Sequence, residues 1–224
     1  MRKIILLPIF LLIVVGTNAQ IFTVFGQGVG YIYVGPKAGA TFSTISNYSD
    51  MFPGVKTANR VGYQFGGVAE FGFTEKFSIQ TELLFYSRGM KFTDVDGGIK
   101  MNYIGIPILA KYAFKAFGLT KIYAIAGTFN DVRTKGEWYD PAGTSELGSG
   151  FRKYDWGFSF GCGAEYPTDY GIFGLDLRYN LGLTDLHDDA GDNTKTKSRS
   201  FGVALTYKYD LTKLLPKNRK KEKQ

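Results

Sequence analysis

The only histidine of the chain, His187, lies in an acidic segment and is the first residue to consider for chemistry. The segment reads Asp185-Leu186-His187-Asp188-Asp189-Ala190-Gly191-Asp192. A hydrolytic or acyl-transfer site needs an imidazole beside a positioned serine or carboxylate, and no placed serine accompanies His187. The four aspartates could gather a hard cation such as calcium, but their spacing does not match an EF-hand loop. We therefore predict no catalytic residue, no cofactor and no metal site, with His187 a solvated loop residue.

The segment 171–183 shows how other charged residues are arranged. Alternate positions from Phe173 to Leu183 are apolar, whereas the positions between them are small or polar and include Asp176 and Arg178. Side chains of a β-strand point alternately to opposite sides, so this segment is predicted to be a strand with one apolar and one polar face. The same alternation recurs about eight times along the chain.

Nine charged residues fall on the polar faces of these segments. They are Lys37, Glu70, Glu82, Arg88, Lys111, Glu165, Asp176, Arg178 and Lys208. If the strands close into an eight-stranded barrel, the interior is only wide enough for side chains. Isolated charges would be unfavourable there, so we expect these residues to pair with one another as an internal salt-bridge network. An ion conduit or a ligand site is the alternative interpretation.

The spacing of polar connections indicates the architecture that positions these charges. Strands are predicted near residues 31–45, 60–73, 77–91, 100–114, 119–133, 154–167, 171–184 and 198–211. Long connections at 46–59, 92–99, 134–153 and 185–197 alternate with short ones near 74–76, 115–118 and 168–170. This alternation is typical of outer-membrane barrels, with short periplasmic turns and longer external loops. The predicted fold is all-β, an eight-stranded antiparallel up-and-down transmembrane β-barrel.

Aromatic residues at the ends of the apolar faces support a membrane-spanning barrel. They are Phe71, Phe73, Tyr112, Phe114, Trp156, Tyr166, Tyr207 and Tyr209. Amphipathic rings favour the headgroup level of a bilayer, and these eight are predicted to form two aromatic girdles. A soluble ligand-binding barrel, the alternative, would instead place its large apolar residues inside.

The N-terminus indicates export. Arg2 and Lys3 precede an apolar run too short to span a bilayer, and small residues follow it, so residues 1–19 are predicted to be a signal peptide cleaved after Ala19. We further predict a periplasmic segment at 20–30, the barrel at 31–211 and a basic periplasmic tail at 212–224. The expected location is the bacterial outer membrane.

The net charge of +7 comes from the two ends of the chain. Once the signal peptide and the tail are set aside, acidic and basic residues are equal in number. Nucleic-acid binding is therefore not expected from the basic composition. The predicted partners are outer-membrane lipid and, through the tail and loops, periplasmic or secretion-machinery proteins.

Two segments resemble a known family. Val34-Gly35-Pro36-Lys37-Ala38-Gly39-Ala40-Thr41-Phe42-Ser43-Thr44-Ile45 resembles the opening strand of the PorT-like outer-membrane β-barrel family, and Tyr103-Ile104-Gly105-Ile106-Pro107-Ile108-Leu109-Ala110-Lys111-Tyr112 resembles a later strand. Gly105 stands where that family has an acid, which leads us to expect altered pairing of Lys111. The resemblance implies the barrel fold and an outer-membrane location. It also implies, as one candidate role, an accessory part in type IX protein secretion.

Three functional hypotheses follow. The first is a non-enzymatic integral barrel with a charge-filled closed lumen and four external loops for structural or surface-interaction roles. The second is the PorT-like secretion component. The third, a lipid-modifying enzyme, would require His187 to belong to a catalytic site.

Overall fold

The structure is a computed structural model that describes residues 23–24, 27–51, 54–148, 150–187 and 195–214. The predicted signal peptide lies outside the described residues, as does the tail beyond residue 214. No helix in the described part of the chain is long and apolar enough to cross a membrane.

Strands make up most of the described chain. In chain order they are β1 (Thr23–Val24), β2 (Gln27–Gly28), β3 (Tyr31–Ser46), β4 (Thr57–Gly72), β5 (Phe77–Phe92), β6 (Gly98–Gly105), β7 (Ile108–Lys115), β8 (Lys121–Asp140), β9 (Gly143–Glu146), β10 (Tyr154–Pro167), β11 (Ile172–Gly182) and β12 (Lys197–Asp210). A short helix α1 (Tyr48–Met51) follows β3, and a 3-10 turn (Leu211–Leu214) follows β12.

Antiparallel pairing closes the long strands into a ring. Each of them pairs with its neighbours in the chain, with β6 and β7 together occupying one position in the wall. The ring closes because β12 pairs with β3, through partners such as Phe201 and Phe42. A closed ring leaves no unpaired edge strand within the wall. The predicted eight-stranded up-and-down barrel is confirmed.

One end of the barrel carries tight turns. The Thr74 hydroxyl accepts hydrogen bonds from the backbone N–H groups of Lys76 and Phe77, at 3.2 and 2.9 Å. The Thr168 hydroxyl likewise accepts from the N–H of Gly171. Such local side-chain acceptors favour sharp reversals over strand extension. We call this the turn end, and the opposite end, with the longer connections, the loop end.

The loop end differs from the sequence prediction at the fifth strand. β8 continues to Asp140, whereas a strand over 119–133 and a loop over 134–153 were expected. Its outer half pairs with β6 on one side and with β9 on the other. The carboxylate of Asp140 accepts from the N–H groups of Ala142 and Gly143 and thereby closes the β8–β9 hairpin. The prediction failed because these pairings are non-local, and polar, glycine-containing sequence alone resembles a loop.

Two prolines mark irregular points in the wall. The first strand runs through Pro36, but the β12–β3 pairing skips from Lys37 to Val34, as expected where proline removes a ladder donor. Pro107 separates β6 from β7 without shifting the register, because its carbonyl still accepts from the N–H of Glu82 at 3.2 Å.

Candidate functional site

The interior of the barrel contains the candidate site. All nine charged residues predicted for the lumen are buried in the structure. Ion pairs join them in three groups, which we call the turn-end layer, the middle layer and the outer layer.

The turn-end layer is a closed ring of two lysines and two glutamates. Lys111 pairs with Glu70 at 3.0 Å and also with Glu165. Lys208 pairs with the same two glutamates. The four residues come from β4, β7, β10 and β12, so the ring connects widely separated walls of the barrel. Its charges balance, and Ser78 supplies a further hydrogen bond to Glu70 at 2.7 Å.

The middle layer is a second balanced group. The Arg178 guanidinium donates to both carboxylate oxygens of Glu82, at 2.7 and 2.8 Å. Lys37 lies between Glu82 and Asp176, at 3.1 and 3.0 Å. A bidentate arginine–carboxylate pair is both strong and directional. Gln80 also donates to Glu82 at 2.6 Å, so this carboxylate is the most heavily bonded group of the layer.

The outer layer has one base for two acids. Arg88 pairs with Asp131 at 2.8 Å and with Asp155 at 3.7 Å. The Tyr86 hydroxyl donates to Asp131, and the Ser198 hydroxyl donates to Asp155 at 2.5 Å. The Oδ1 atom of Asp155 has no hydrogen-bond partner in the structure. This layer therefore differs from the other two in carrying an excess of acid.

Sequence reasoning missed two members of this set. Asp131 and Asp155 are fully buried, yet neither was predicted to face the lumen. For Asp155 the signal was available, because it shares strand parity with Glu165, which was placed on the polar face. Asp131 lies near the predicted end of its strand, where strand parity was not assigned.

Interior glycines make room for the large side chains of the lumen. A Cβ added at Gly163 would lie 2.3 Å from the Tyr123 ring, and one at Gly157 would lie 2.8 Å from the Phe129 ring. Tyr123 in turn lies under the Lys111 ammonium, 4.3 Å from the ring centroid, a cation–π distance. The glycines along β10 therefore leave room for the Tyr123 and Phe129 rings in the interior.

Gly105 occupies a different place from the one expected. It is the direct cross-strand partner of Asp131, and a Cβ there would lie 2.0 Å from the Tyr86 hydroxyl. Lys111, whose pairing was expected to be altered, instead pairs with Glu70 and Glu165 in the turn-end layer. That expectation is wrong, because Gly105 lies beside the outer layer.

The interior leaves little space between the middle and outer layers. A cavity of about 10 Å³ lies there, lined by Arg88, Arg178, Thr41 and Gln64 among others. That volume holds about one water molecule. At this level the lumen is filled by side chains, as expected for a barrel of eight strands.

An apolar cluster covers the loop end, which the sequence analysis did not anticipate. Tyr48 from α1 and the loop residues Leu147, Phe151 and Leu186 pack on apolar side chains from the strands. The strand residues are Ile45, Leu84, Tyr86, Met90, Ile99, Met101 and Tyr103. Burial raises the pKa of the Tyr48 phenol to about 12, so this side chain is neutral. The described parts of the long connections thus form an apolar cap over the loop end.

The predicted girdle residues do not form two equal bands. Seven of the eight lie near the turn end, and only Trp156 lies toward the loop end. Other aromatic residues form the outer band, including Phe65 stacked on Phe85 with ring centroids 5.5 Å apart, and Phe42 beside Phe201. These rings lie in mid-strand because the strands continue past them toward the loops. A prediction that looks for aromatic residues only at strand ends therefore misses the outer aromatic band.

The acidic loop of His187 is only partly described. The Asp185 carboxylate accepts hydrogen bonds from the N–H groups of His187 and Thr196, at 3.3 and 3.1 Å, and so fixes the loop locally. The His187 ring packs edge-on against Phe151 at 5.1 Å. Asp188, Asp189 and Asp192 lie outside the described residues. Within the part of the chain that the structure does describe, no cluster of three or more metal-ligating side chains is found.

The closed ring, its apolar outer face and its buried charges define a transmembrane β-barrel of the outer-membrane class. The family model "Outer membrane protein beta-barrel domain" matches residues 18–188. The chain therefore belongs to this family, and its location is the bacterial outer membrane. No curated protein matches the chain.

Solved structures of several outer-membrane barrels are similar. OprG from Pseudomonas aeruginosa is 16% identical with a TM-score of 0.49, and the match covers 82% of this chain and 98% of that chain. Neisserial surface protein A is 16% identical with a TM-score of 0.49, covering 81% and 98%. Outer membrane protein W of E. coli is 14% identical with a TM-score of 0.42, covering 81% and 98%.

Proposed function

We propose that this protein is a non-enzymatic outer-membrane barrel that presents ordered external loops for a structural or surface-interaction role. The observation that supports this proposal is the filled lumen. The middle layer joins β3, β5 and β11 across the interior through Lys37, Glu82, Asp176 and Arg178. A solute pathway would need these pairs to separate.

The apolar cap supports the same proposal from the loop end. Burial of Leu147, Phe151 and Leu186 holds the external connections against the barrel. Ordered loops lose less conformational entropy on contact with a partner than disordered loops do. An outer face whose loop residues pack on the barrel, above a closed interior, suits recognition or mechanical support better than transport.

Electrical recording tests the closed lumen. The full chain, reconstituted in a planar bilayer, should give no unitary conductance, whereas a Lys37→Ala/Arg178→Ala double variant should give small openings because both bases of the middle layer are removed. Correct insertion of both proteins is checked by the heat-dependent shift in gel migration that folded barrels show. Sustained conductance by the wild-type protein would overturn the proposal of a closed structural barrel.

A deletion strain tests the surface role. Loss of the gene should increase permeability to large antibiotics or reduce attachment of cells to surfaces, and the full gene should restore both. A strain that retains normal permeability and attachment would contradict a structural or surface role.

A second candidate is an accessory role in type IX secretion. It is supported by the two segments, 34–45 and 103–112, that resemble the PorT-like family. The test compares the secreted and periplasmic proteomes of the deletion strain. Cargo that accumulates in the periplasm, with recovery by the full gene, would favour this role, and normal secretion would exclude it.

The tail offers a further discrimination between the two roles. The Thr212 hydroxyl accepts a hydrogen bond from the N–H of Ile32 at 3.0 Å, so the start of the tail helps to fasten the barrel. A deletion of residues 215–224 leaves that bond intact. Such a protein should assemble normally, and it should lose function only if the tail contacts a machine component.

The third hypothesis, a lipid-modifying enzyme, depends on His187. If cells with a His187→Ala protein have the wild-type acyl-chain and headgroup composition in the outer membrane, the enzyme hypothesis is excluded. A specific lipid change that this variant abolishes would instead overturn the non-enzymatic proposal.

A further inference from the structure

Charges on the outer surface of the barrel differ between its two ends. Beyond the outer aromatic band, the outward-facing strand positions that the structure describes carry five bases and two acids. These residues are Lys91, Lys100, Lys135, Lys197 and Arg199, with Glu137 and Glu146 as the acids. At the turn end the exposed bases Lys76 and Lys115 are matched by the exposed acids Glu75 and Asp169.

Three of the lysines form a diagonal row across adjacent strands. Lys91 lies on β5, Lys100 on β6 and Lys135 on β8. Lys91 is opposite Gly98 and Lys100 is opposite Gly89, so the two lysines are diagonal neighbours. Lys135 is opposite Asn102, two residues from Lys100 on the same face. Side chains at such positions can reach a common ligand. We call these three residues the lysine row.

The row has more positive charge than its neighbours neutralise. Glu137 pairs with Lys135 at 2.6 Å and is the direct cross-strand partner of Lys100. Glu146 of β9 lies opposite Glu137, so two carboxylates serve three ammonium groups on this face. The Lys135 side chain remains 59% exposed, so this pair contributes little to stability and leaves the ammonium open to a ligand.

The position of the row relative to the bilayer identifies the ligand. Lys100 is on the same face of β6 as the membrane-facing Ile104, four residues further toward the loops. Lys91 likewise follows Phe85 on the outward face of β5. Strand residues advance about 3.3 Å each, which places the ammonium groups in the headgroup region outside the outer aromatic band. The groups that meet them there belong to lipids of the outer leaflet.

We propose that the lysine row binds the phosphate groups of an anionic lipid in the outer leaflet. Lysine binds phosphate as a point charge, and clustered lysines next to a bilayer attract anionic headgroups. The glycines at positions 89 and 98 place no side chain of their own between the lysines. The inference rests on the outer-membrane location of the family and does not depend on the proposed function.

Native mass spectrometry of the folded full chain tests this site with lipid A as the probe. Bisphosphorylated lipid A is titrated onto the wild-type protein and onto a Lys91→Gln/Lys100→Gln/Lys135→Gln variant. The matched control, Lys76→Gln/Lys115→Gln/Lys121→Gln, removes the same charge at the turn end. We expect the variant of the lysine row to bind at least ~10-fold more weakly and the control to bind as wild type.

A second probe separates phosphate recognition from acyl-chain contact. Lipid A with the same acyl chains and one phosphate should bind more weakly to the wild-type protein, with little further loss in the variant of the lysine row. Equal binding of both probes, or equal binding by the variant and the wild type, would overturn the proposal. Equal weakening by the turn-end control would show that total charge alone governs binding, which also overturns it.

Discussion

The turn-end and middle layers of the lumen are stabilised by different interactions from those at the loop end. In the turn-end and middle layers every buried base lies beside two acids and every acid beside two bases. At the loop end one arginine, Arg88, faces two aspartates, and an apolar cap of loop and strand residues lies above them.

The contrast shows how a narrow barrel can be closed in two ways. Buried ion pairs across the ring are directional, and breaking one leaves an uncompensated charge, so these layers resist substitution. Apolar packing tolerates the exchange of one apolar side chain for another but is sensitive to changes in side-chain volume. The turn-end and middle layers thus depend on charge balance, whereas the loop end depends on the burial of apolar loop and strand residues.

The largest effect is expected from a charge deletion in the middle layer. Glu82→Ala leaves Lys37 and Arg178 short of a partner inside the barrel and should destabilise the folded state by ~3–5 kcal/mol. Urea unfolding in micelles, followed by tryptophan fluorescence, measures the change. Glu137→Ala is the matched control, because it removes a partly buried carboxylate on the outer surface whose lysine partner is exposed, and it should change stability little. Equal effects of the two substitutions would show that the middle layer is not a cooperative network.

Removal of a buried loop side chain should act on the cap alone. Leu186 is 1% exposed, and Leu186→Ala should weaken packing of the last long connection by ~2–4 kcal/mol. The local opening should expose Lys195 and Lys197 to trypsin on intact cells, while the barrel keeps its heat-resistant gel migration. Global loss of heat resistance would indicate that cap and barrel unfold as one unit.

A smaller effect is expected from overpacking near the turn-end layer. Gly163→Ala puts a methyl group 2.3 Å from both the Tyr123 ring and a backbone carbonyl oxygen, and should cost ~1–3 kcal/mol. Gly148→Ala serves as the control, since nothing lies within 4 Å of an added Cβ there. The two variants are compared by thermal midpoint in the same detergent. Matching midpoints would mean that the Tyr123 ring moves without cost.

The smallest effect is expected from a substitution in the outer layer, where acids outnumber bases. Asp155→Asn keeps a hydrogen-bonding side chain near Ser198, and Arg88 retains its closer partner Asp131. The loss should be ~1 kcal/mol or less, well below that of the isosteric Glu82→Gln change in the balanced middle layer. Urea midpoints of the two isosteric variants make the comparison. A loss at Asp155 as large as at Glu82 would remove the distinction between the layers.

Local sequence was sufficient for the wall of the barrel. The alternation of apolar and polar residues along β10, β11 and β12 predicts both the strands and the side each residue faces, because side-chain direction in a strand has a period of two. The same parity placed Lys37 and Glu82 on the inner face. Strand parity did not predict which residues pair, because Arg178 pairs with Glu82 from a strand 96 residues away in sequence.

Sequence by itself determined the strand count, the face of each strand and the outer-membrane class, because all three depend on local periodicity and on the alternation of loop lengths. Tertiary structure alone decided the division of the charges into three layers, the burial of Asp131, the continuation of β8 to Asp140 and the apolar cap. These features depend on the register between strands and on contacts between distant loops. A pattern with a period of two specifies a direction within one strand and carries no information about its neighbours.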